Sequence, residues 1–122
     1  MIATLAEVSL DSADPEGLMR FYQLVLGGEV SVLSTDFALL RLAGITLTSS
    51  RVADYKPPSW PEDTVPKQLH LDLRVEDLDG AQVELTAAGA QLADHQPHPA
   101  QYRVFIDPAG HPFCACLPAD WA

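Results

Sequence analysis

Apolar residues alternate with polar ones over Glu7–Asp11, and again over His70–Arg74. Alternation of this kind predicts half-buried strands, with Val8, Leu10, Leu71 and Leu73 turned toward a core. Glu7, Ser9, His70 and Asp72 then share the opposite faces, because successive strand side chains point to opposite sides. After the first strand, Leu18, Phe21, Tyr22, Val25 and Leu26 recur at helical spacing. Asp14-Pro15-Glu16 ahead of them supplies a cap, a first-turn proline and an early negative charge, and Gly27-Gly28 provides the stop. After the second strand, Asp77 is the expected cap, Leu78, Ala81, Leu85 and Ala88 the buried stripe, and Gly89 the end.

The two stretches superpose at an offset of 63 residues: Val8 over Leu71, Leu10 over Leu73, Asp14 over Asp77 and Gly17 over Gly80. Each helix is followed by three short β-rich segments. These are Glu29–Ser34, Phe37–Leu42 and Ile45–Ser50 in the first copy, and Ala90–Ala93, Arg103–Ile106 and Phe113–Leu117 in the second. Gly44 corresponds to Gly110, the latter in the turn Asp107-Pro108-Ala109-Gly110, so Thr48 corresponds to Cys114. Strand, cap, helix, stop and glycine turn therefore occur twice in the same order, as a duplicated βαβββ unit. The fold class is α+β, one domain over 1–122, with repeat one at about 1–51 and repeat two at about 68–122. Between them, residues 52–67 hold Pro57, Pro58, Pro61 and Pro66 around Trp60 and read as a stiff linker.

Composition narrows the classes. With 122 residues and 48% hydrophobic content the chain can bury a core and is not of the disordered type. No apolar run approaches a membrane span, and Met1–Leu5 lacks the basic-then-apolar pattern of a secretory signal, so no membrane is expected and a cytoplasmic address follows. The net charge of −10 offers no basic footprint for nucleic acid. It serves solubility, or it belongs to a pocket that attracts a cationic small molecule. Cys114 and Cys116 are too close along the chain to make a useful bridge and read as free thiols, small and buried.

Three stretches carry a resemblance to a known family: Leu10–Pro15 with Phe21-Tyr22, Trp60-Pro61 ahead of Gln68–Leu73, and Asp107-Pro108-Ala109-Gly110-His111-Pro112-Phe113-Cys114. Together they resemble the vicinal oxygen chelate (glyoxalase/bleomycin-resistance/dioxygenase) superfamily, in particular its small glyoxalase-like members. The resemblance implies a cup-shaped mixed sheet with helices outside. It further implies a small-molecule ligand in the cup, and a homodimer. Two functions follow from it: a metal-dependent lyase, isomerase or dioxygenase, or a metal-free bleomycin-resistance-like protein that sequesters a cationic compound.

The ligand positions of the superfamily's metal enzymes map to Glu7, Thr48, His70 and Cys114. Its usual pattern has a histidine where Glu7 stands and a glutamate where Cys114 stands. Glu7, His70 and Cys114 form a candidate set for one divalent ion, Zn²⁺, Mn²⁺, Ni²⁺ or Fe²⁺, although a thiol suits Zn²⁺ better than a hard ion. These residues fit a metal-free cup better than a metal site, and a structural cup filled by its own side chains is the third reading. His70 and Glu7 are also the candidate catalytic residues, as a base and the carboxylate that orients it. Trp60, Asp72, Thr48 and Cys114 are candidate ligand-binding residues. Trp60 and Tyr55 form a wall over the cup, or else Trp60 plugs the linker onto the sheet. His111 in its turn, and His95 and His98 among prolines, read as structural or solvated.

Overall fold

The computed structural model describes residues 1–119. They form two compact units, Met1–Tyr55 and a second that begins at Lys56. The first contains β1 (Glu7–Ser12), α1 (Pro15–Leu26), β2 (Glu29–Ser34), β3 (Phe37–Arg41) and β4 (Thr46–Arg51). The second contains β5 (Leu71–Arg74), α2 (Leu78–Ala88), β6 (Gln91–Leu92), β7 (Tyr102–Ile106) and β8 (Pro112–Cys116). Each unit has one four-stranded mixed sheet, ordered β1-β4-β3-β2 and β5-β8-β7-β6. The first strand of each unit lies parallel to its last strand, and the other pairs are antiparallel. The α+β class and the βαβββ repeat are thus present in the backbone.

Both helices start by the same device. The Asp14 carboxylate accepts from the backbone N–H of Gly17 (3.1 Å), and the Asp77 carboxylate accepts from Asp79 and Gly80 (3.2 Å each). A Cβ on Gly17 would stand 2.2 Å from Oδ2 of the capping Asp14 carboxylate, and one on Gly80 2.7 Å from Oδ2 of Asp77. Glycine at the third helical position therefore leaves the cap its room, which explains why both copies carry it.

In unit 1 the core consists of Leu18, Met19, Phe21 and Tyr22 of α1 together with Ala38, Leu40 and Leu47 of the sheet. Met19 joins the buried stripe, while Leu26 is 38% exposed, against the expectation from periodicity. The helix ends at Leu26 with Gly27 as its cap, and the side chain of its last residue meets solvent. In unit 2, Leu78 and Leu85 of α2 are buried with Ala90, Val104, Phe105, Phe113, Cys114 and Ala115. Ala81 and Ala88 are only half-buried, since an alanine reaches less far into the core.

Residues 52–67 contain no helix or strand, only an isolated bridge between Ser59 and Pro66. Ser59 closes this loop by donating its backbone N–H to the Val65 carbonyl (2.8 Å). Hydrogen bonds from Ser59 and then Thr64 hold the Glu62 carboxyl below its ordinary range. No helix among the described residues is long and apolar enough to cross a membrane.

Candidate functional site

Unit 2 carries a cavity of about 620 Å³ on the sheet face that holds His70, Asp72, Cys114 and Cys116. Strand periodicity explains the lining. Tyr102 and Val104 of β7, Cys114 and Cys116 of β8, and Asp72 of β5 alternate with residues turned the other way. The register places Asp72 opposite Cys114, Cys114 opposite Val104 and Cys116 opposite Tyr102. Pro112 and Phe113 extend the apolar wall, and Trp60, Lys67 and Pro97 approach from the loops.

Asp72 is the hub of the polar end. His70, which immediately precedes β5, places Nε2 3.0 Å from Asp72 Oδ1. The Cys116 thiol donates toward the same oxygen at 3.7 Å. On the far side of the ring, Lys67 Nζ lies 3.4 Å from His70 Nδ1. An ammonium has only protons to offer, so His70 Nδ1 accepts and Nε2–H donates to Asp72. Lys67 also stands 5.9 Å from the Trp60 ring centroid, and Trp60 lies 5.4 Å from the His95 ring.

Both thiols are held neutral. Burial first, and then the negative charge of Asp72, push the Cys114 thiol up from 9.0 to about 12. The same causes in the same order raise Cys116. Both cysteines are free, Cys114 buried and Cys116 half-buried.

His70, Asp72, Cys114 and Trp60 therefore fall together at one cavity. Glu7 and Thr48 belong to unit 1, where Glu7 is exposed at the start of β1 and pairs with Thr46. Thr48 is buried opposite Ser9. Tyr55 is the half-buried last residue of that unit. Among the described residues, one group of three or more His, Cys, Asp and Glu side chains is close enough to hold an ion: His70, Asp72 and Cys114. Their donor atoms lie within 4.8 Å of one another. His95 and His98 lie outside it, their rings instead meeting Trp60 and Tyr102. His111 is part of the turn, with its backbone N–H donating to Asp107 Oδ1 at 3.0 Å.

Lys67, Tyr102 and Val104 are not singled out by the sequence pattern, and Cys116, expected as a small buried thiol, is half-buried and lines the cavity. The places of Tyr102, Val104 and Cys116 are legible in the sequence, since the β7 and β8 alternation puts them on the face of Cys114. That of Lys67 is not, because nothing local says where a proline-bounded loop returns to a sheet.

The model of the glyoxalase-like domain family matches residues 7–116, and the chain belongs to that family. It is a member of the vicinal oxygen chelate superfamily. No curated protein matches significantly. Among solved structures, a glyoxalase/bleomycin resistance protein/dioxygenase family enzyme from Burkholderia phytofirmans PsJN is similar, with TM-score 0.71 and 21% identity. That match covers 94% of this chain and 98% of the other. The fosfomycin resistance protein FosX from Listeria monocytogenes gives TM-score 0.71 at 16% identity over 99% and 98% of the two chains. A glyoxalase-related enzyme from Fulvimarina pelagi gives 0.67 at 21% identity over 96% and 89%. At these identities the likeness is one of fold.

Proposed function

We propose that this chain binds a small organic molecule in the unit 2 cavity, with its apolar body against Val104, Pro112 and Phe113 and its polar end at His70 and Asp72. One observation carries the reading: a His–Asp pair at 3.0 Å lines a mostly apolar cavity of about 620 Å³, with Lys67 and Arg74 as its other charged groups. Ligand sites have this composition, with mostly apolar walls and a few convergent polar groups, and volumes of roughly 300–1,000 Å³. Trp60 supplies a flat wall for a planar ligand. A His70 ring oriented by Asp72 is also chemically equipped to move a proton, as a lyase or isomerase of this fold requires.

A second reading is sequestration of a cationic compound. The carboxylate of Asp72, 55% exposed, and the net charge of −10 favour it. A thermal-shift panel separates the two. It comprises cationic aromatic compounds, neutral and anionic analogues of the same ring systems, and fosfomycin. Stabilisation by cations alone, lost in Asp72→Asn, selects sequestration. Stabilisation by oxygenated or anionic members selects the metabolite-binding reading. A flat response across the panel rejects both. Trp60→Ala is expected to weaken any binder by about 1–2 kcal/mol, the scale of a buried aromatic contact.

The assembly in this reading is a homodimer, and the compartment the cytoplasm. β1 and β5 are edge strands of their sheets, with exposed Leu5 ahead of one and exposed Leu69 ahead of the other. Such edges are ordinarily covered. Sedimentation velocity tests the dimer.

A further inference from the structure

The unit 2 cavity carries the opposite charge balance from the chain around it. It is lined by Lys67 and Arg74, two of the seven Lys and Arg residues, and by Asp72, one of the 17 Asp and Glu. His70 adds no charge while its Nδ1 accepts from Lys67. The wall is therefore net positive in a chain of formal charge −10.

Asp72 does not neutralise its neighbour on the strand. Its Oδ1 takes the His70 Nε2–H at 3.0 Å and faces the Cys116 thiol at 3.7 Å. Arg74, two residues along β5 on the same face, is exposed, and its side chain forms no ion pair or hydrogen bond with a described residue. The other four arginines are engaged: Arg20 with Glu16, Arg41 with Ser31, Arg51 with Asp36 and Arg103 with Asp79. Across the sheet, Arg74 stands opposite Cys116, and Cys116 opposite Tyr102. One row thus has a guanidinium at one end and a phenol at the other. Lys67 adds its charge from beyond His70. Burial and then Asp72 raise the Cys114 thiol, and Lys67 acts against them, so its field reaches that wall.

We propose that the cavity selects organic anions, a flat apolar body bearing one carboxylate or phosphonate, and that Arg74 is the residue that selects them. The proposal rests on the reading of this cavity as the binding site. A guanidinium presents paired N–H donors to two oxygens of one anionic group, which a lysine cannot do. Two strand spacings, roughly 10 Å, separate the backbones of Arg74 and Tyr102, and both long side chains reach a group held over Cys116. Asp72 repels an anion from the His70 end and so sets the orientation. A neutral polar group of the ligand meets His70 and Asp72, and the charged group lies about 7 Å further along the sheet, two strand residues away. An organic cation would find Asp72 already taken by His70 and would face Arg74 and Lys67 as like charges.

The experiment is calorimetric titration of the full chain with matched sets of hydroxylated phenyl, naphthyl and biphenyl compounds. Each set comprises a carboxylate, a phosphonate, a neutral carboxamide and an aminomethyl cation. Expected in at least one set is a preference for an anion over the carboxamide of about fivefold or more, the low end for a charged contact open to water. Added salt weakens the anion and leaves the carboxamide unchanged. Arg74→Gln abolishes the preference while the carboxamide still binds, and Arg74→Lys keeps part of it. Arg51→Gln, at an arginine engaged in unit 1, leaves it intact. A lead for the carboxylate or for the phosphonate names the anion, and either supports the proposal. Carboxamide binding as tight as both anions, tightest binding by the cation, or a preference that survives Arg74→Gln overturns it and leaves the cavity reading standing. No binding by any member of any set removes both.

Discussion

Asp72 stands directly opposite Cys114 across the parallel pair of β5 and β8, as Ser9 stands opposite Thr48 across β1 and β4. The register of the first unit is thus repeated in the second, with a carboxylate and a thiol in place of two hydroxyls. Ser9–Thr48 makes no acid–thiol contact, whereas Asp72 draws His70, Cys114 and Cys116 into one cluster. One sheet geometry, repeated, has therefore been given chemistry in the second copy.

The cysteines are expected to be slow nucleophiles. With the Cys114 thiol near 12 instead of 9.0, its thiolate population at neutral pH is lower by about a thousandfold than that of an unperturbed thiol. Alkylation by iodoacetamide at pH 8, followed by mass spectrometry, should be slow in the native chain and fast in denaturant. The sign for stability follows from the same shift. Unfolded thiols ionise above about pH 9 while the folded ones keep their protons, so the contribution is intact below that pH and lost as the pH rises past it. Native alkylation as fast as denatured alkylation would contradict the burial of this pair.

Gly44 and Gly110 have the same positive φ, 88°, but different surroundings. A Cβ at Gly44 meets nothing within 4 Å, while one at Gly110 falls 2.4 Å from Pro57 Cβ. Gly44→Ala should cost about 1 kcal/mol for the left-handed conformation alone. Gly110→Ala should cost clearly more, since Pro57 must also shift. Chemical denaturation of the two variants checks this, and equal losses would show that Pro57 does not rest on the turn.

Asp107 is a buried turn carboxylate, 4% exposed, that accepts from Ala109 N (2.9 Å) and His111 N (3.0 Å). Asp107→Ala leaves these donors without it and should destabilise by about 2–3 kcal/mol, with Asp107→Asn recovering part of the loss. The drop in thermal midpoint measures it. A change below about 0.5 kcal/mol, the size of an ordinary surface substitution, would show that the turn does not depend on that side chain.

Fold information in this chain is local. Asp14 and Asp77 announce the helices, Gly17 and Gly80 make room for their caps, and alternation over Val8–Leu10 and Leu71–Leu73 sets which strand faces are buried. Even the pairing of Thr48 with Cys114 across the repeat was legible from Gly44 and Gly110. The strand edges were less so: β6 shrinks to Gln91–Leu92 and Leu26 lies exposed, because both depend on where packing ends. At the site, His70, Asp72, Cys114 and Trp60 could be chosen by residue type and face. What escaped was the convergence on Asp72. It requires Cys116 to share an oxygen with His70, and Lys67 to return over the ring from a loop without periodicity.

Binding in the unit 2 cavity is tested by a ¹H–¹⁵N NMR titration of the full chain with the panel compound that stabilises it most. Predicted are saturable shifts concentrated at Asp72, Val104, Phe113 and Cys114 and at the Trp60 indole, and abolished by Asp72→Asn. Shifts confined to residues of Met1–Tyr55, or an unchanged response in Asp72→Asn, would contradict it.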